Sequence, residues 1–170
     1  VFGSLPAFGQ SSDLMNSQSN GQITAQSASE EDAEGKNKQK RSYAGIGGNL
    51  GLSGDDTAIG DGGFTIVTRT RIIDYLSVRG SLIIGSETTS ATALTGEVPI
   101  TNAAGRIVAI PFLGGGISIG DGDVNPLIST GVDVPLSEDF TLTNRINVSF
   151  GDDETDVGAL VGVGYNFTLF

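Results

Sequence analysis

From Tyr43 onward, large apolar side chains recur at every second position in one run after another. A period of two places alternate side chains on opposite faces of an extended strand, so this pattern restricts the region to β-structure. Eight runs carry it. The first, "YAGIGGNLGLS", sets Ala44, Ile46, Gly48, Leu50 and Leu52 against Tyr43, Gly45, Gly47, Asn49 and Gly51. "FTIVTRTRI" opposes Phe64, Ile66, Thr68, Thr70 and Ile72 to Thr65, Val67, Arg69 and Arg71. "LSVRGSLIIG" opposes Leu76, Val78, Gly80, Leu82 and Ile84 to Ser77, Arg79 and Ser81. "LTGEVPI", "RIVAIPFLGGGISI", "PLISTGVDV", "FTLTNRINVSF" and a last run from about Val157 to Phe170 complete the set. The fifth run is apolar on both faces, which leaves its register open.

The two faces differ in charge. One carries Leu, Ile, Val, Phe, Gly and Thr, with no charged residue in the strand centres. The other collects Arg69, Arg71, Arg79, Arg145, Glu97 and Asp133 among Ser, Thr, Asn and Gly. Eight strands close around an interior just wide enough for side chains. Four arginines make a poor dry core for a soluble fold, because unpaired buried charge costs several kcal/mol. The opposite orientation removes the difficulty, with the apolar face to lipid and the charges in the lumen. An arginine facing lipid at mid-membrane costs ~2–4 kcal/mol, which explains the one-sided sorting. The expected fold is all-β, an eight-stranded antiparallel up-and-down transmembrane β-barrel over 43–170.

The connections are expected to differ at the two ends. "DY", "NAAG" and "LSED" read as tight turns at one rim, whereas "SGDDTAIGDGG", "SETTSAT", "GDGDVN" and "GDDETD" read as longer loops at the other. Counted from the tight turns, Arg69, Arg71, Arg79, Glu97 and Asp133 lie in the same half of the barrel, with Arg145 somewhat higher. They are expected to form one ion-pair layer of four arginines and two acids, with Arg106 a further cation if it points inward. Two readings of the layer stay open: charges that fill and specify the interior, or a narrow pore with a basic constriction.

The long-loop rim carries Asp55, Asp56, Asp61, Glu87, Asp121, Asp123, Asp152, Asp153, Glu154 and Asp156 and no base. These carboxylates lack the spacing of an EF-hand loop, so the expectation is no dedicated metal site and at most weak attraction of divalent cations. The net charge of −11 argues against nucleic-acid binding, which needs a basic patch. There is no Cys and no His, so thiolate metal sites and histidine-based hydrolysis are both excluded. No cofactor and no enzymatic activity are expected.

Residues 1–42 are of another kind. Ala7-Phe8-Gly9 fits the small-x-small pattern of a signal-peptide cleavage site, and the following Ser/Gln/Asn-rich stretch ends in clustered acids and then bases. The segment reads as a signal-peptide remnant, a disordered polar N-terminus, or both. No uncharged run in the strand region reaches the ~18 residues of a membrane-spanning helix.

The run "ALVGVGYNF" carries Ala159, Val161, Val163, Tyr165 and Phe167 on one face. It resembles the C-terminal strand of the small outer-membrane β-barrels, the OmpA-like and opacity-protein-like barrels. That resemblance implies an outer-membrane location, a lipid-embedded exterior, and recognition of Tyr165 and Phe167 by the barrel-assembly machinery. Phe170 is the alternative terminal signal, on the other face. The expected role is a structural or interaction barrel with a side-chain-filled lumen. The alternatives are a small porin-like diffusion pore and, behind it, a soluble ligand-binding barrel. Oligomeric state stays open.

Overall fold

The computed structural model describes residues 41–54, 57–152 and 154–168. Eight long strands lie among them: β1 (Ser42–Ser53), β2 (Gly62–Ile73), β3 (Leu76–Ile84), β4 (Thr88–Glu97), β5 (Ile107–Gly120), β6 (Asp123–Pro135), β7 (Phe140–Phe150) and β8 (Thr155–Phe167). Each pairs antiparallel with its neighbours in sequence, and β1 pairs with β8, so the sheet closes. The closing seam is long. Ser42 lies opposite Phe167, Ile46 opposite Val163 and Leu50 opposite Ala159, with a bulge between Gly51 and Ser53. Closure removes both sheet edges and pairs the backbone polar groups along the strands, as a spanning sheet in lipid requires.

Strand alternation is reproduced as a burial pattern. In β4 exposed and buried residues alternate without a break, and in β7 every second residue from Thr141 to Ser149 is buried. The outward residues include Ile46, Leu50 and Leu113, each more than 60% exposed. Inward, Thr65, Arg79, Thr143 and Ser149 are at 0–1%. A water-soluble barrel has the reverse arrangement, apolar inside and polar outside. Outward aromatics sit at the strand ends: Tyr75, Phe140 and Tyr165 at one rim, Phe64 and Phe150 toward the other. Phe140 and Tyr165 lie opposite each other in register and meet edge to face at 5.8 Å. Aromatic side chains at the two ends of an apolar band mark the levels of the lipid headgroups.

Inward glycines permit the tight coiling of the wall. A Cβ on Gly47 would lie 2.2 Å from the carbonyl oxygen of Val161, and one on Gly116 would lie 1.9 Å from that of Thr92. Any larger residue there would push neighbouring strands apart.

The structure corrects the expected boundaries in three places. β4 begins at Thr88, inside the stretch read as the loop "SETTSAT", because Thr, Ser and Ala alternate there as regularly as larger residues do elsewhere. β6 begins at Asp123, and "GDGDVN" contracts to a two-residue turn. Asp121 and Gly122 both have positive φ, 52° and 94°, the type I′ geometry that matches strand twist. The proposed sorting of short turns and long loops is therefore absent. The rim with the Asp74-Tyr75 turn also carries the connection 98–106, which contains a two-residue strand, Ile100–Thr101, paired back onto β5. The open register of the fifth run resolves with Ile110, Phe112 and Ser118 inward, and Leu113, Ile117 and Ile119 outward.

Candidate functional site

The lumen is filled in layers. The rim that carries Ser42 and Phe167 is called the turn rim, and the opposite one the acidic mouth. Nearest the turn rim is a layer of charge. Arg69, on β2, forms a two-point pair with Glu97 on β4. Arg79, on β3, donates to Glu97 at 3.1 Å, to Asp133 on β6 at 2.7 Å, and to the Thr95 hydroxyl at 3.1 Å. Ser77 donates to Glu97 at 3.0 Å. The Arg79 guanidinium carbon lies 3.5 Å from the centre of the Phe112 ring, a cation–π stack in a desolvated site. All four ionic side chains are at least 95% buried.

Tyr43 joins this layer to the next. Its hydroxyl donates to Asp133 at 3.1 Å and accepts from Arg79 at 3.2 Å and from Arg145 at 2.9 Å. Arg145 reaches across the barrel from β7. It donates to the carbonyl oxygens of Thr68 and Gly80, an opposed pair on β2 and β3, at 3.1 Å each. Three guanidiniums and two carboxylates leave the layer at +1. The surplus belongs to Arg145, which two carbonyls and two hydroxyls solvate in place of a carboxylate.

Arg71 was expected in this layer and does not enter it. Its guanidinium turns back to the Asp74-Tyr75 turn, donating to the Ile73 and Asp74 carbonyls and to the Asp74 carboxylate at 3.2 Å. Arg71 lies one inward step beyond Arg69 toward the rim, so the carbonyls of its own turn are nearer than Glu97. Arg106 is exposed on the 98–106 connection. The inward glycines also serve a different purpose from space for arginine. A Cβ on Gly164 would lie 2.5 Å from the Tyr43 ring and one on Gly131 would lie 2.8 Å from that of Phe112. They make room for the two aromatics that hold the arginines.

Toward the acidic mouth the filling becomes apolar. Val67 and Leu160 are in contact beside Tyr43, and Ile83, Ala91, Ala93 and Leu127 form a second cluster with Ala58 and Ile59. The last two belong to α1 (Ala58–Asp61), a one-turn helix in the β1–β2 connection. Its chain folds back into the barrel: Thr57, Ala58, Ile59 and Gly60 are all buried, Ile59 completely. Asn49 donates to the carbonyls of Ala58 and Ile59, the Thr89 hydroxyl accepts from the Ala58 amide, and Thr57 caps the turn by accepting from Ile59. Sequence alone gave this segment as a polar loop. The signal present was "TAI", an N-capping Thr before two apolar residues amid acids and glycines.

The acidic residues do not behave alike. Asp61, Glu87, Asp121, Asp123, Asp152 and Glu154 are exposed at the mouth, and Asp61 accepts a hydrogen bond from Ser86. Asp156 was grouped with them and lies instead inside the barrel, 2% exposed, because it occupies an inward position of β8. Asp55, Asp56, Asp153 and Phe170 lie outside the described residues, as do positions 1–40 of the N-terminal segment. Among the described residues no three acids converge on a point that would hold a metal ion. Of the residues assigned to assembly, Tyr165 projects outward and Phe167 is half-buried opposite Ser42.

At the turn rim a cavity of about 420 Å³ opens beneath the charge layer. Arg69 lines it together with Arg41, Arg106, Glu138, Ile110 and Asn166, among others. Arg41 and Asn166 both donate to the Glu138 carbonyl, tying the start of β1 and the end of β8 to the β6–β7 turn.

No family model matches the sequence, and no curated protein matches it. Seven solved chains match in structure. The N-terminal β-barrel domain of Pseudomonas aeruginosa OprF superposes with a TM-score of 0.57 at 12% identity, over 76% of this chain and 98% of that one. Ail from Yersinia pestis gives 0.45 at 15% identity in its phospholipid nanodisc form, over 75% of this chain and 99% of that one. The crystal form of Ail with the heparin analogue sucrose octasulfate gives 0.47 at 14% identity, over 75% and 98%. With its closed eight-strand ring, apolar exterior and polar lumen, the chain has the fold of the small eight-stranded outer-membrane β-barrels.

Proposed function

We propose that this chain is an integral outer-membrane protein with a closed lumen, acting as a structural or interaction barrel through its rims and not as a solute pathway. The observation that carries this reading is the stacked filling of the lumen. A solute or ion would have to displace the buried Ile59 turn, cross the dry layer of Ile83, Leu127, Val67 and Leu160, and then break the Arg79–Asp133 pair. The last step separates a fully desolvated ion pair, which costs on the order of 3–5 kcal/mol. The turn-rim cavity ends at Arg69 and does not extend through this stack. Catalysis finds no support: the chain has no His and no Cys, and Arg69, Arg79, Glu97 and Asp133 are paired with one another.

On this reading the turn rim faces the periplasm, the assembly machinery acts on the outward face of β8, and the acidic mouth faces outside. The test is planar-bilayer recording of the purified full chain. The expected record has no unitary steps at neutral pH. Reproducible steps of uniform size would overturn the closed lumen and favour the narrow pore. Extraction only by detergent, with a heat-dependent shift in gel mobility, is expected for the membrane location, and recovery in a detergent-free soluble fraction would overturn it.

A further inference from the structure

At the acidic mouth one carboxylate stands apart. Asp156 is the second residue of β8, points inward and is 2% exposed. Its Oδ1 atom is buried without a hydrogen-bond partner. Among the described residues no ion pair reaches it, and the five arginines from Tyr43 onward are placed elsewhere: four in or near the charge layer and the turn rim, and Arg106 on the 98–106 connection. A buried carboxylate without a counter-charge is strongly disfavoured. The surroundings make the deficit larger, since Asp61, Glu87, Asp152 and Glu154 add negative potential at the same rim.

The position of this carboxylate is specific. A Cβ on Gly54 would lie 2.0 Å from Asp156 Oδ1, and one on Gly60 would lie 2.7 Å from it. That same point on Gly60 lies 2.3 Å from the Gly54 carbonyl oxygen. Asp156 Oδ1 and the Gly54 carbonyl oxygen therefore lie near one another, packed so closely against Gly60 that any side chain there would collide with both. Gly60 belongs to the buried α1 turn, and Gly54 follows directly on the end of β1.

We propose that Asp156 is the buried ligand of a calcium-type cation site at the acidic mouth, and that the bound ion latches the α1 turn into the lumen. The chemistry fits a hard, oxygen-seeking cation, which accepts a carboxylate, backbone carbonyls and water in irregular geometry. The ion supplies the positive charge that no described residue places there. By contacting Asp156 on β8 and the Gly54 carbonyl beside Gly60 it couples the plug to the wall. The inference is independent of whether the lumen conducts.

The test is calcium titration of the full chain folded in detergent micelles, by calorimetry and by thermal unfolding with and without chelator. The wild type is expected to bind one Ca²⁺ per chain and to unfold at higher temperature when it is bound. Asp156→Asn is expected to weaken binding by roughly tenfold or more. In chelator it should unfold no earlier than the wild type, because an uncompensated buried charge has been removed. Asp152→Asn, an exposed acid of the same rim, should retain the calcium response. An undiminished response in Asp156→Asn, or a wild type that shows none, would overturn the proposal. Should Asp156→Asn not fold, the wild-type titration decides alone: one saturable site supports the proposal, and several weak sites without a thermal shift overturn it.

Discussion

Replacing Glu97 by glutamine removes one of two negative charges from a layer that holds three guanidiniums. The register makes the consequence calculable. Arg69 and Arg79 lie directly opposite each other on β2 and β3, both facing inward, and Glu97 bonds to both. Without its charge the two guanidiniums confront one another, with Asp133 alone between them. Two like charges ~5 Å apart at an effective dielectric near 20 repel by about 3 kcal/mol. Loss of the charge-assisted hydrogen bonds adds to this, so Glu97→Gln should destabilise the barrel by about 3–5 kcal/mol. Arg69→Met should cost less, about 1–2 kcal/mol, since Glu97 keeps Arg79 and Ser77 as partners. The double variant removes the repulsion along with the pair, and its cost should fall short of the summed singles by about 2 kcal/mol. Reversible urea unfolding in lipid vesicles, followed by gel mobility or tryptophan-free far-UV circular dichroism, measures all three. A Glu97→Gln barrel within about 1 kcal/mol of wild type, or additive single costs, would refute the argument that this carboxylate separates two buried like charges.

Other positions give independent checks. Val163 lies outward in the centre of β8 opposite Ile46, and Val163→Arg should destabilise the inserted barrel by ~2–4 kcal/mol while leaving the lumen contacts intact. Gly122 has φ of 94° with open space around it, so Gly122→Ala should cost about 1 kcal/mol through backbone strain alone, read from the unfolding midpoint. Gly47→Ala places a methyl group 2.2 Å from the Val161 carbonyl across the closing seam. It should reduce the yield of heat-modifiable folded barrel far more than Gly122→Ala does, and equal yields would show that the seam relaxes freely.

The fold was legible because two simple patterns coincide in the chain. Alternation in β1, β2, β3, β7 and β8 placed nearly every side chain on its observed face, and the segregation of Arg69, Arg79, Arg145, Glu97 and Asp133 told inside from outside. Composition misled where it was read in place of alternation. Thr88–Thr92 carries only small and polar residues yet alternates as a strand, and Asp123–Asn125 pairs as strand although it reads as loop, since at the ends of a spanning barrel the outer face meets headgroups and water. Inference about side-chain partners reached only so far. Strand position put Arg71 beside Arg69, but partner choice depends on which oxygens lie within reach of a long side chain, and the carbonyls of a tight turn were nearer. Asp156 was misplaced for a related reason. A single residue's distance from a loop decides whether it belongs to the rim or the lumen, and strand ends are uncertain by that much. The α1 plug had the weakest signal of all, one capping Thr before two apolar residues.

The wiring of the charge layer also bears on how such a barrel forms. Arg79 finds Asp133 across 54 positions of sequence, and Arg145 finds Tyr43 across 102. No hairpin contains the whole set: β2 with β3 brings together only arginines, β3 with β4 brings Arg79 to Glu97, and β6 with β7 carries Asp133 and Arg145. A partly assembled sheet therefore exposes charge on the side that must eventually be sealed, and it pays heavily for entering hydrocarbon in that form. Only when β1 meets β8 do Tyr43, Arg145 and the acids complete one another. Completion of the layer is thus tied to ring closure, because Tyr43 on β1 is the group that joins Arg79, Arg145 and Asp133.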